Sequence, residues 1–199
     1  MSKGQQTRST ILSEAMRAAS VEGFQGISIG MLAERLGMSK SGLFAHFGSK
    51  EELEKAVLDE TAKRFMDAIW APVMREPRGQ PRIEALFRRW LDWTQNNADL
   101  PGGCLFVALA AEIDDKAGPV RDQLADLQRQ WQAMLARSAQ IAIQEGHFRA
   151  DLDPKQFAFE MQAIVLGLNF YRRLLQDPAA IRRVEDAFAG LLQRSMRPI

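Results

Sequence analysis

The chain has 199 residues, of which 46% are hydrophobic and 26% charged, and its 26 Lys and Arg against 25 Asp and Glu leave a net charge of +1. This composition excludes a disordered or fibrous chain, and the near-zero balance gives no global cationic field from which a nucleic-acid partner could be read. A single cysteine, Cys104, excludes an internal disulfide and a cysteine-rich metal centre, and points to the cytoplasm.

Charge is unevenly spread. Up to Lys50 there are six basic residues (Lys3, Arg8, Arg17, Arg35, Lys40, Lys50) against three acidic ones (Glu14, Glu22, Glu34), a local balance of +3. The longest apolar stretch, Cys104 to Ala111, is too short to span a bilayer, and no apolar run follows the N-terminal basic residues.

In chain order, residues 1–7 are polar and contain Gly4, which predicts a mobile arm. A helix is expected over 7–22, with Ile11, Leu12, Ala15, Ala18 and Ala19 buried and Gly23 as its stop. Ser28 then caps a short helix whose Ile29, Leu32, Ala33 and Leu36 recur on one face, and Gly37 ends it. Ser39 caps a second short helix, small and basic at Lys40, Ser41 and Gly42, anchored by Leu43, Phe44 and Phe47, and closed by Gly48. A helix fixed on one side, with a small, polar, positive N-terminal end, is a shape the DNA major groove admits. Ser49 and Glu52 have capping-box spacing and open a helix expected to reach Trp70.

Pro72, Pro77, Gly79 and Pro81 mark a loop. Helices are expected over 82–96, with Ile83, Leu86, Phe87, Trp90, Leu91 and Thr94 on one face, over 104–112, and over 119–145, with Gly146 as the stop. Asp153-Pro154 and Asp177-Pro178 each read as an N-cap followed by proline at the first helical position. The first of these helices carries a stripe of Phe157, Met161, Ile164, Val165 and Leu168, with Phe159, Leu166 and Phe170 elsewhere around it, so it needs cover on two sides. The last helix carries Ile181, Val184, Phe188, Leu191 and Leu192. A homodimer whose last two helices form a four-helix bundle would hide both stripes.

The run G-x-S-I-G-M-L-A-E-R-L-G-M-S-K-S-G-L-F-A-H-F-G-S-K-E-E-L resembles the DNA-binding domain of the tetracycline-repressor family of bacterial transcriptional regulators. The agreement lies at Gly26, Ser28, Ala33, Gly37, Ser39, Leu43, Phe44, His46, Phe47, Lys50, Glu51 and Leu53. The stretches P-G-G-C-L-F-V-A-L-A-A-E-I-D-D and G-x-F-R-A-D-L-D-P are similar to the ligand-binding domain of a subset of that family.

The resemblance implies an all-α homodimer: a helix-turn-helix domain over 1–53, joined by a long helix to a helical ligand-binding and dimerisation domain over 54–199. It implies a repressor that binds a near-palindromic operator and is released by a small-molecule effector. Carried over by position, Ser39, Lys40, Ser41, Gly42 and Leu43 face bases or nearby backbone, and Ser28, Phe44, His46 and Lys50 stand where the family holds phosphates. Phe44 departs from the usual tyrosine and has no hydroxyl to give a phosphate. Ser41-Gly42 stands where glycine followed by threonine or alanine is usual.

For the effector, Trp90, Trp93, Cys104, Phe106, Trp131 and Phe170 are candidate cavity walls, with Glu112 and Asn169 as polar groups inside. No catalytic residue, metal ligand set or cofactor is expected: His46 and His147 are about a hundred residues apart and neither has ligand spacing around it. Two rival readings are a helical enzyme with a vestigial DNA-binding head and a protein-binding adaptor.

Overall fold

The computed structural model describes residues 2–197, which form ten α-helices and two π-helical turns and no strand. They cluster into two compact units. One takes in the chain up to Phe65 together with Gln95–Ala125; the other takes in Met66–Thr94 and the chain from Asp126 onward.

In the first unit, α1 (Lys3–Gly26) starts earlier than the polar composition predicts, and Met1 of the expected arm lies outside the described residues. The cause is a capping box. Ser2 accepts from the Gln5 N–H, and the Gln5 side chain accepts from the Ser2 N–H at 2.8 Å. Gly23 breaks the helix, as expected, with φ +70, but a further turn follows to Gly26. Helices α2 (Ile29–Arg35) and α3 (Lys40–Phe47) form the helix-turn-helix. Each has its predicted cap: the Met31 N–H donates to Ser28 Oγ at 3.1 Å and the Gly42 N–H to Ser39 Oγ at 3.0 Å. Gly37 and Gly48 adopt φ of +63 and +75, the left-handed region in which a Cβ is strained. Leu32, Ala33, Leu43 and Phe47 are buried with Ile11, Leu12, Ala15 and Met16 of α1.

Helix α4 (Lys50–Phe65) is regular for 16 residues; a π-helical turn, Met66–Trp70, follows where the helix was expected to continue, and α5 (Ala71–Val73) then runs into the stretch expected as a loop from Pro72. Only half of the expected capping box forms, because the Glu52 N–H donates to Ser49 Oγ while the Glu52 carboxylate pairs with Lys55. Helix α7 (Leu105–Ile113) packs on α1, and the turn before it is bolted there by the Gly102 N–H donating to Ser20 Oγ at 3.0 Å. A Cβ on Gly102 would overlap the Ser20 carbonyl, so this approach requires glycine.

The second unit is built on α6 (Gln80–Asn96), the later turns of α8 (Pro119–Gln144), α9 (Pro154–Asn169) and α10 (Ala180–Ser195). Its core is aromatic. Phe87 and Phe188 stack 3.7 Å apart, Trp90 meets Trp131 edge-on at 5.0 Å, and Phe148 meets Phe157 at 5.2 Å. Asp153 caps α9 with Pro154 at its first position, as read. The matching reading of α10 is corrected. Asp177 Oδ1 accepts from the Ala179 N–H in a turn, Pro178 stays in that turn, and the helix begins only at Ala180.

The two stripes also divide differently. Val184, Phe188 and Leu191 of α10 are already buried within the chain, as are Phe157, Met161, Val165 and Leu168 of α9. What remains open is the other side of α9: Phe159, Leu166 and Phe170 are 63%, 41% and 51% exposed.

Candidate nucleic-acid interface

Helix α3 owes its orientation to two buried side chains, Leu43 and Phe47, at 0% and 8% exposure. With that side fixed, Ser39, Lys40, Ser41, Phe44 and Ala45 are left exposed. Leu43, expected among the DNA-facing residues, is corrected as to its side chain, which is fully buried as the anchor of the helix. Gly42 lies beside the cap: its N–H donates to Ser39 Oγ, and a Cβ there would stand 3.0 Å from that oxygen. The Ser39 and Ser41 hydroxyls are 3.3 Å apart.

The alkyl stem of Lys40 lies across Gly30, where a Cβ would come 2.9 Å from Lys40 Cε. Together with Ile29, Ser41, Phe44 and Ala45 they line an open, largely apolar hollow of about 450 Å³ on this face. Phe44, 50% exposed, is its wall, and Lys40 brings a positive charge to it. Ser28 is exposed at the start of α2 while its hydroxyl serves as the cap, and His46 is half-buried with its ring 6.3 Å from Phe47.

Lys50, in the first turn of α4, is exposed and sits 3.6 Å from Glu54. Burial pushes the Glu54 carboxyl above the usual carboxylate range; Lys50 pulls against it, and Glu112 and Glu51 add to the rise. Arg8, counted among the N-terminal basic residues but not among the expected contacts, packs against the end of α3. Its guanidinium lies 4.9 Å above the centre of the Phe47 ring, which places a cation at the end of α3. Nothing in the linear pattern marks Arg8, because Phe47 is 39 positions away. Arg35, by contrast, is paired with Glu14 and Glu22.

The residues expected around an effector do not gather into one described site. Trp90 and Trp131 meet in the second unit, where Trp70 adds a second edge-on contact to Trp131 at 6.4 Å, and Trp93 lies buried in the same unit. Asn169 and the exposed Phe170 stand where α9 passes into its π-helical turn, Phe170–Leu174. Cys104, Phe106 and Glu112 belong to the other unit. Cys104 is buried at the start of α7 and burial raises its thiol pKa; Phe106 meets Phe65 edge-on at 5.9 Å. Glu112, expected as a polar group in the cavity, is corrected: both its carboxylate oxygens accept backbone N–H groups at the end of α1. No helix among the described residues is long and apolar enough to cross a membrane.

Residues 11–57 match the bacterial regulatory proteins of the tetR family, and residues 79–188 match the tetracyclin repressor-like C-terminal domain. The HTH-type transcriptional repressor AcnR of Corynebacterium glutamicum is 29% identical over 107 residues, 43% of this chain and 57% of AcnR, so the chain spans little more than half of that relative. The HTH-type transcriptional repressor ComR of Escherichia coli is 24% identical over 170 residues, 83% of this chain and 79% of ComR. A TetR transcriptional regulator from Chloroflexus aurantiacus has the same fold, with a TM-score of 0.85 and 25% identity over 97% of this chain and 96% of that one. A helix-turn-helix with every cap in place, followed by a helical region whose C-terminal match covers more than half of the sequence, assigns the chain: it belongs to the tetracycline-repressor family of bacterial transcriptional regulators.

Proposed function

We propose that this chain is a ligand-responsive transcriptional repressor that binds a near-palindromic operator as a homodimer in the cytoplasm. The observation that carries the reading is the division of α3 into a buried side, Leu43 and Phe47, and an exposed side of Ser39, Lys40, Ser41, Phe44 and Ala45. Residues 1–53 serve as the DNA-binding domain and residues 54–199 as the effector-binding and dimerisation domain. Ser39, Lys40 and Ser41 face base edges, with the Gly42 backbone beside them. Ser28, His46 and Lys50 hold phosphates, and Phe44 makes an apolar contact.

Dimerisation through the last two helices is supported by the exposed row Phe159, Leu166 and Phe170, spaced by seven and then four residues along one side of α9. Two copies of α3 about 34–36 Å apart match successive major grooves. An effector lying against Trp90, Trp93, Trp131 and Asn169 releases the operator by favouring a conformation with another spacing. That shift is bounded by its differential affinity for the two states.

Selection of duplexes from a random DNA pool at near-physiological salt tests the reading. Recovery of an inverted repeat is the expected result, and a pool that stays random after repeated rounds overturns it.

A further inference from the structure

We infer that Glu112 is a positioning residue for operator binding: its carboxylate, carried by α7, holds the last turn of α1 and through it the start of α2. The inference rests on the DNA-binding reading and adds to it a residue that no DNA contact would include.

The geometry is specific. Glu112 Oε2 accepts from the Phe24 N–H at 2.8 Å and Oε1 accepts from the Gln25 N–H at 2.8 Å. These are successive backbone amides gripped by one carboxylate from 87 and 88 residues away. They are available because Gly23, with φ +70, interrupts α1. The turn that restarts after it has N-terminal amides without carbonyl partners one turn back, the kind of group a carboxylate satisfies. A Cβ on Gly23 would overlap Glu112 Oε2 and push the carboxylate aside, and the φ of +70 itself favours glycine.

The gripped turn leads straight into the DNA-binding elements. After Gln25 come Gly26, then Ile27, which is 1% exposed and so fixes the chain in the core, then Ser28, the cap of α2. The direction of α2 is thus set from two ends: by Ile27 and Leu32 in the core, and by the amides that Glu112 holds. Below the grip is a hollow of about 220 Å³ lined by Phe24, Lys50, Glu54, Glu112 and Lys116 among others, so the carboxylate is not packed in on every side. Any movement of α7 against α1 stretches two short, directional, charge-assisted bonds at once. Release of this grip leaves the α1–α2 junction with its remaining apolar anchors and a less defined orientation.

The test uses the full chain and the duplex recovered by the selection described above. Operator affinity and affinity for a scrambled duplex are measured over a series of salt concentrations for the wild type, Glu112→Ala and Glu112→Gln. Thermal unfolding and hydrogen exchange at the Phe24 and Gln25 amides are measured alongside. Positioning predicts that Glu112→Ala loses roughly 10- to 100-fold on the operator with scrambled-duplex binding within about twofold, since phosphate contacts survive. Faster exchange at both amides accompanies the loss, and Glu112→Gln, which keeps one acceptor, falls between.

Unchanged operator binding by Glu112→Ala overturns the inference while leaving the DNA reading intact. Equal losses on both duplexes in step with a fallen unfolding midpoint, repeated in Glu112→Gln, overturn it in favour of a merely structural bond. A wild-type chain that recovers no duplex removes the DNA reading and this inference with it.

Discussion

The ammonium of Lys50 stands 3.6 Å from the carboxylate of Glu54, one turn further along α4, with Lys50 the more exposed of the two. The cation assigned to a DNA phosphate is therefore not idle in the free protein. A phosphate has to draw it from a carboxylate that is largely buried. Glu54→Gln removes that competitor. Operator affinity should rise by up to about fivefold, the scale of a surface ion pair worth about 0–1 kcal/mol. Titration of labelled operator with the variant and wild type measures it, and a fall in affinity contradicts the competition.

The same carboxylate predicts a pH dependence. Burial, ahead of all other causes, raises the folded-state pKa of Glu54, so the folded chain holds this proton more tightly than the unfolded one. Stability from this group is thus fully present below its unfolded pKa and is lost as pH rises through the raised folded value. Glutamine has no such transition. The unfolding midpoint of Glu54→Gln relative to wild type should therefore increase between acid and neutral pH. Scanning calorimetry at both ends of that range checks the sign, and a gap that narrows with rising pH refutes it.

If Lys50 holds a phosphate as proposed, Lys50→Ala removes one phosphate contact per subunit. With slopes of about 0.9 per contact, the log-log salt dependence of a dimer should flatten by about 1.8, and affinity at low salt should fall. The side chain is exposed, so folding should be little affected. Binding isotherms at several salt concentrations decide it; an unchanged slope removes Lys50 from the phosphate set.

Phe44→Tyr puts a hydroxyl on an aromatic ring that is 50% exposed on the part of α3 proposed to meet DNA. A neutral donor to a phosphate is a charge-assisted hydrogen bond that releases no counterion. Operator affinity should rise by about tenfold with no change in salt slope. Equal operator affinity for the wild type and the Phe44→Tyr variant would mean that this edge of the ring does not face a phosphate.

Much of the helix-turn-helix, and the start of α9, was legible in the sequence because the signals are local. Ser28, Gly37, Ser39, Gly48 and the Asp153-Pro154 pair act on amides within three residues or on their own φ, so reading them needs no fold. The errors share the opposite cause. Asp177-Pro178 has the same letters as Asp153-Pro154, yet Asp177 completes a turn and α10 starts only at Ala180. Leu43 and Phe44 are adjacent apolar residues, and only the packing of α3 decides that one is the anchor and the other the surface. Arg8 and Glu112 act through Phe47, Phe24 and Gln25, partners brought near by tertiary structure alone. The effector set could not be assembled from periodicity, because helical spacing reports which side is apolar and not which helix it meets.

Phe159 and Phe188 separate the two uses of aromatic surface in the last helices. Phe188 is 6% exposed and stacks on Phe87 within the chain, whereas Phe159 is 63% exposed on α9. Phe188→Ala should leave a cavity and cost about 3–5 kcal/mol of folding stability. Phe159→Ser creates no cavity and removes apolar area only from the surface proposed to meet a second copy. Its circular dichroism should stay helical while light scattering at micromolar concentration shifts from dimer toward monomer. Because dimerisation is linked to folding, its unfolding midpoint should also become less dependent on protein concentration than that of wild type. A Phe159→Ser protein that remains fully dimeric on dilution would move the interface off this side of α9, and would leave Phe159, Leu166 and Phe170 in need of another partner.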